Sequence, residues 1–192
     1  MNSIEHSFHE AQHCLARFVN DWEQFPRVRL FADKLAATFR AGCKVMSCGN
    51  GGSMSDAMHF AEEWSGRYRK ERPPFPAIAF SDPGHMSCVA NDYGFAEVFA
   101  RQVQALGKEG DLLLMLSTSG NSPNLLRAAE EARARGVATV GLLGKGGGAL
   151  LPLCDISIVV PGNSSDRIQE LHIKIIHIVI ETVEREFFPD LY

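Results

Sequence analysis

The sequence contains no run of about 18 apolar residues, so no part of it is expected to span a membrane. Its start, MNSIEHSFHEAQHC, has no basic stretch leading into an apolar core, and no secretory signal is expected. A formal net charge of -4 and the lack of a dense Lys/Arg stripe argue against a nucleic-acid binder. No C-x-x-C pair occurs. The five cysteines, Cys14, Cys43, Cys48, Cys88 and Cys154, are odd in number and read as reduced thiols of a cytoplasmic protein, mostly small core residues. Two phosphate-binding fingerprints are missing as well. G-x-G-x-x-G would need glycine where Met54 stands, and no G-K-[ST] is present. Repeats, linkers and low-complexity tracts are also absent. What remains is an ordinary globular composition, 45% hydrophobic and 22% charged over 192 residues, enough for one domain with a sizeable core.

The pattern is helix-rich at first and then alternates. Residues 3–20 and 26–41 carry apolar residues at helical spacing, and Gly42 closes the second helix. This pair, residues 1–42, precedes an α/β core at 43–192 and could cover the sheet or pair with another subunit. Strands are expected near 43–48, 76–80, 112–116, 137–143 and 156–160, with the second and third buried. Helices are expected near 53–66, 85–92, 95–106, 123–135 and 165–187, and Gly144–Gly148 reads as a flexible loop. Strands alternating with helices predict a five-stranded parallel sheet with helices on both faces, whose ligands lie at the carboxyl ends of the strands.

The chain is organised around KVMSCGNGGSMSDAMHFAEE, residues 44–63, a strand, glycine turn and helix of the kind that builds an anion site. A second loop, STSGNS at 117–122, follows a buried strand and supplies hydroxyl and backbone donors on the same edge. His59 and Glu63 stand at i, i+4 on the first helix, and Glu62 competes with Glu63 for the inward position. The last helix is nearly all apolar from Ile173 to Val183, which predicts burial all round. His177 is then a buried imidazole in need of a partner. Gln169 lies two turns earlier on roughly the same side, with a capping box to Asp166 at the N-cap as its purely structural alternative. His172 and Lys174 read as an exposed stripe.

SCGNGGS, DAMHFAEE, GRYR, the NDYGF segment, STSGNS and DRIQELHIKIIHI together resemble the phosphoheptose isomerases of the sugar-isomerase (SIS) domain superfamily. The resemblance runs over nearly the whole chain. STSGNS recurs across the superfamily, whereas HFAEE combined with DRIQE and a downstream IIHI is more specific. The resemblance implies interconversion of sedoheptulose 7-phosphate and D-glycero-D-manno-heptose 7-phosphate through an enediol, the first step toward the ADP-heptose of lipopolysaccharide. It implies a homotetramer with shared active sites and one labile zinc per subunit, held by His59, Glu63, Gln169 and His177. The phosphate would sit on Ser53, Ser117, Thr118, Ser119 and Ser122. Asn50, Gly51, Gly52, Asn91 and Asp92 would line the sugar site, with Arg67 and Asp166 close by. Glu63 and His177 would share the acid/base work. Two alternatives stay open here: a non-catalytic relative that binds the replication initiator, and an isomerase of another sugar phosphate.

Overall fold

A computed structural model describes residues 2–192. Two helices, α1 (Ser3–Asn20) and α2 (Gln24–Arg40), lead into β1 (Val45–Gly49) and α3 (Gly52–Ser65). Then come β2 (Ala77–Ala79), α4 (Pro83–Tyr93), α5 (Val98–Leu106), β3 (Leu112–Ser117), α6 (Pro123–Ala134), β4 (Ala138–Gly144), β5 (Ile156–Val160) and α7 (Ser165–Phe187). The sheet is five-stranded and parallel throughout, in the order β2-β1-β3-β4-β5. The order reverses between β1 and β3, so the loops leaving those strands diverge and open a crevice between them.

The central strands are apolar on both faces, as a sheet covered on both sides requires. Alternation sends Leu112, Leu114 and Leu116 of β3 into one core with Phe31, Leu35, Phe60, Trp64 and the inner face of α7. Leu113 and Met115 enter the other core, with Phe80, Phe99, Val103 and Leu125. Helices α1, α2, α3 and α7 therefore cover one face, and α4, α5 and α6 the other. Among the described residues, no helix is long and apolar enough to cross a membrane.

Several sequence expectations change in the structure. The second strand is not buried: β2 is an edge strand, and Ile78 is 40% exposed. The 95–106 helix is broken, with a 3₁₀ turn over Phe95–Glu97 before α5. The 144–148 loop is tightly folded, with Gly146, Gly147 and Gly148 all at positive φ and Gly147 and Gly148 packed against neighbours. Asp166 is not the N-cap of α7; Ser164 holds that position, and Asp166 lies in the first turn. Finally, α7 is not buried all round, because it lies along the sheet on one stripe only. His172, Ile175, Ile176, Val179, Ile180 and Val183 form the stripe, while Ile178 is 48% exposed.

His172 is thus a core residue, not part of an exposed stripe. Its Nε2 lies 3.3 Å from the Leu143 carbonyl, and its Nδ1 has no partner. Burial pushes its pKa down to about 4 from 6.5. The folded state therefore binds fewer protons than the unfolded state between those values, and stability is lost as pH falls through that window, by about 3 kcal/mol in all. His172→Met is expected to flatten this acid limb. Urea midpoints at pH 7 and pH 4.5 would test it, and an equal fall in both proteins would rule His172 out as the source.

Candidate active site

The first loop is shaped by glycine. β1 ends at Gly49, and Gly51 turns the chain at φ 56°, a left-handed conformation that side chains resist. A Cβ on Gly52 would lie 2.7 Å from Gln169 Nε2, so a larger residue there would displace the Gln169 amide from the start of α3. The Gln169 amide donates weakly to Ser53 Oγ at 3.4 Å.

The second loop is held by its neighbours. Ser117 Oγ accepts from the Gly120 amide at 2.9 Å, and Asn121 donates to the Ser119 carbonyl at 3.0 Å. The turn after β4 closes on it: Ala149 N–H donates to Asn121 Oδ1, and Leu150 N–H donates to the Gly120 carbonyl, each at 2.9 Å. Across the crevice, Asn50 and Asn124 exchange two amide hydrogen bonds of 3.0 and 2.8 Å. That pair ties the turn before α3 to the first turn of α6.

The loops share one cleft of about 180 Å³. Asn50, Ser53 and Gln169 line it on one side, and Ser117, Thr118, Ser119 and Ser122 on the other. Ser165 completes the wall, its hydroxyl 3.1 Å from that of Thr118. Hydroxyls and the N-terminal ends of α3 and α6 make this an environment for an anion.

A second constellation lies farther along the α3–α7 seam. His59 Nε2 is 2.9 Å from His177 Nε2 and 3.1 Å from Glu63 Oε1. Among the described residues, His59, Glu63 and His177 are the His/Cys/Asp/Glu group whose donor atoms all fall within 4.8 Å of one another. Two imidazole nitrogens and a carboxylate oxygen are the donor set a zinc ion takes, so the residues fit a metal. Glu62, 61% exposed, approaches His59 Nδ1 at 3.4 Å, while Glu63 is 12% exposed and faces inward. The competition between the two glutamates is thereby settled in space.

Electrostatics separates the pair's members. Burial raises the Glu63 pKa, Glu62 adds to this, and His59 opposes it. Burial lowers the His177 pKa, and His59 lowers it further. A carboxylic acid pushed up and an imidazole pushed down suit proton transfer near neutrality. One turn before His59, burial pushes Asp56 up to about 6 against the pull of His59.

Gln169 and His177 are eight residues apart, about 12 Å along α7 at ~1.5 Å per residue. Gln169 therefore stands at the serine end of the seam, and His177 at the carboxylate end. Four expected residues lie outside both clusters. Asn91 and Asp92 are exposed at the end of α4 and bond to each other at 2.7 Å. Arg67 is exposed just past α3. Asp166 is exposed and pairs with Arg167 at 3.0 Å, and a hydrogen bond from the Ser164 side chain lowers its pKa.

The structure also adds residues that sequence reasoning passed over. Asn124 and Ser165 had the signal of following the serine loop and opening the last helix. Tyr68 stacks near His177, with ring centroids 5.8 Å apart. Arg72 had no sequence signal. It is buried, and its guanidinium donates to the carbonyls of Glu63 and Trp64 at the end of α3 and to Glu184 Oε1 at 2.7 Å.

A family model described as SIS domain matches residues 6–144. The chain is 54% identical over 178 residues to the phosphoheptose isomerase of Fusobacterium nucleatum, covering 93% of this chain and 92% of that one. It is 53% identical over 178 residues to that of Vibrio cholerae, covering 92% and 93%. A solved phosphoheptose isomerase from Francisella tularensis superposes with a TM-score of 0.91 at 36% identity, covering 96% of this chain and 100% of that one.

Proposed function

The chain belongs to the SIS-domain family, among the phosphoheptose isomerases, and from that premise we propose that it converts sedoheptulose 7-phosphate to D-glycero-D-manno-heptose 7-phosphate. This is the aldose–ketose step that opens the route to the ADP-heptose of lipopolysaccharide. The observation that carries the reading is the layout of the α3–α7 seam, with an anion cleft at one end and a His–Glu–His cluster at the other. A sugar with its phosphate on the last carbon and its carbonyl at the first or second would lie along it.

In this reading the phosphate takes hydrogen bonds from Ser53, Ser117, Thr118, Ser119 and Ser122. Asn50, Gly51, Gly52 and Gln169 shape the near wall, and Arg67, Asn91, Asp92 and Asp166 approach the sugar from the rim. The Glu63 carboxylate takes the proton from the carbon beside the carbonyl and returns it to the neighbouring carbon. His177 moves a proton between the two oxygens of the enediol, so atoms and charge balance with no co-reactant. His59, Glu63 and His177 would hold a zinc ion, and Gln169 is the fourth ligand that the family likeness implies. Bound there, the metal would supply a Lewis acid for the carbonyl oxygen. Glutamine oxygen is a weak ligand, so the metal is expected to be labile.

A homotetramer with composite sites accompanies this reading. Ile4, Phe8, Trp22, Phe25 and Leu30 on α1, α2 and the turn between them, together with Ile178 on α7, expose apolar surface that closed symmetry would cover. A cytoplasmic location fits a thiol-bearing enzyme of sugar phosphates. An assay over a panel of five-, six- and seven-carbon ketose phosphates tests the whole reading. Turnover of the seven-carbon substrate is expected, and its absence would overturn it.

Asn124 is expected to act by position. Asn124→Ala removes both bonds to Asn50 and frees the glycine turn, a loss of about 1–2 kcal/mol. Phosphate contacts serve ground and transition states alike, so KM should rise about tenfold with a smaller fall in kcat. Asn124→Asp, which keeps one bond, should fall between. Unchanged KM in the alanine variant would show that the pair does not set the cleft.

A further inference from the structure

The acid/base pair is divided between two helices, with Glu63 on α3 and His177 on α7. Neither helix alone fixes the distance between them. Arg72, from the segment that follows α3, bridges the two. Its side chain is buried, with the guanidinium 5.6 Å from the Trp64 ring centroid and 5.3 Å from that of Phe75.

All three guanidinium nitrogens are used. The last carbonyls of a helix have no partner within it. In α3 the Gly66 amide takes the Glu62 carbonyl at 2.7 Å. One terminal nitrogen of Arg72 donates to the Glu63 carbonyl, and the other to that of Trp64 at 2.8 Å. Its Nε donates to Glu184 Oε1 at 2.7 Å. Glu184 lies seven residues after His177, two turns on and on the same side of α7. The Tyr192 hydroxyl donates to Glu184 Oε2, so both oxygens of that carboxylate are held.

Stability alone does not call for this arrangement. Apolar side chains of similar volume often do as well as a buried ion pair, or better. What they lack is direction. A guanidinium presents its N–H groups in a rigid plane, so one side chain can meet the backbone of one helix and a carboxylate of another at fixed angles. We infer that Arg72 is a positioning residue for the isomerisation: it clamps the Glu63 backbone to Glu184 of α7 and so sets the gap between the Glu63 carboxylate and the His177 imidazole. The inference rests on the isomerase reading above. Arg72 acts through Glu63 and does not touch the sugar. A misplacement of about 1 Å between reacting groups can cost roughly 100-fold in rate.

The test is R72M/E184M, which removes both charges together. Steady-state kinetics on sedoheptulose 7-phosphate are measured beside urea midpoints. In the folded variant kcat should fall by about tenfold or more, while KM stays within about twofold because the phosphate is held at the serine end of the seam. Should that variant fail to fold, Arg72→Lys is read in its place. It keeps a cation for Glu184 but not the planar fork, and the same split is expected. A folded variant whose kcat falls by less than this, or whose kcat and KM worsen together, overturns the inference. A wild type that turns over no sugar phosphate would be the failure of the isomerase reading, and would take this inference with it. An active wild type beside an unaffected variant fails the inference alone.

Discussion

Glu63→Gln is expected to give a folded protein whose kcat on sedoheptulose 7-phosphate falls by roughly 1,000-fold or more, the scale of a lost general base. The swap keeps the volume and the inward position of the side chain and removes only its basicity. Because Glu63 must be ionised to take a proton, rate should fall as pH drops through its pKa. That pKa is raised by burial and by Glu62, so the acid limb of kcat/KM should lie above the ordinary glutamate value of 4.5. Neutralising Glu62 as Glu62→Gln removes one of the raising influences and should move the limb toward acid. A purified, folded Glu63→Gln protein with near-normal turnover would end the assignment.

The second large effect concerns stability. The Arg72 and Glu184 side chains are 0% and 1% exposed, and they are paired at 2.7 Å. The Tyr192 hydroxyl donates to the other oxygen of Glu184. Breaking such a pair from one side leaves a buried charge with no partner, at a cost of about 3–5 kcal/mol. Arg72→Met should therefore be severely destabilised in urea titrations. It also strips the carbonyls of Glu63 and Trp64 at the end of α3 of their donor. Arg72→Met combined with Glu184→Met should recover much of the loss, since the orphaned charge is gone. A single variant within about 1 kcal/mol of wild type would show that the pair contributes little.

Much of the fold was legible because its signals are local. The apolar run Leu112–Leu116, between turn signals, reads as a strand covered on both faces, and the glycines of GNGGS read as a tight turn into a helix. The borders of α1, β5 and α7 fall where periodicity places them. The misreadings arose where burial is decided by neighbours. His172 and His177 sit five residues apart on one apolar helix, and nothing in their flanking residues says which faces the sheet. His172 does, and His177 instead meets His59 across the seam. The Gly144–Gly148 turn looked loose because glycine is permissive, yet those glycines are what let it close on the serine loop.

The sequence by itself determined the alternation of strands and helices, the glycine-rich and serine-rich loops and the identity of the chemically able side chains. These follow from period, glycine placement and residue type, which need no knowledge of distant neighbours. Only the tertiary structure decided that the two loops face each other through Asn50 and Asn124. It also turned Glu63 inward rather than Glu62, as the resemblance implied, and brought Arg72 beneath the end of α3. Those outcomes depend on contacts between residues up to more than a hundred positions apart, such as Arg72 and Glu184 at a separation of 112. Strand order and helix packing create such contacts, and no local pattern encodes them.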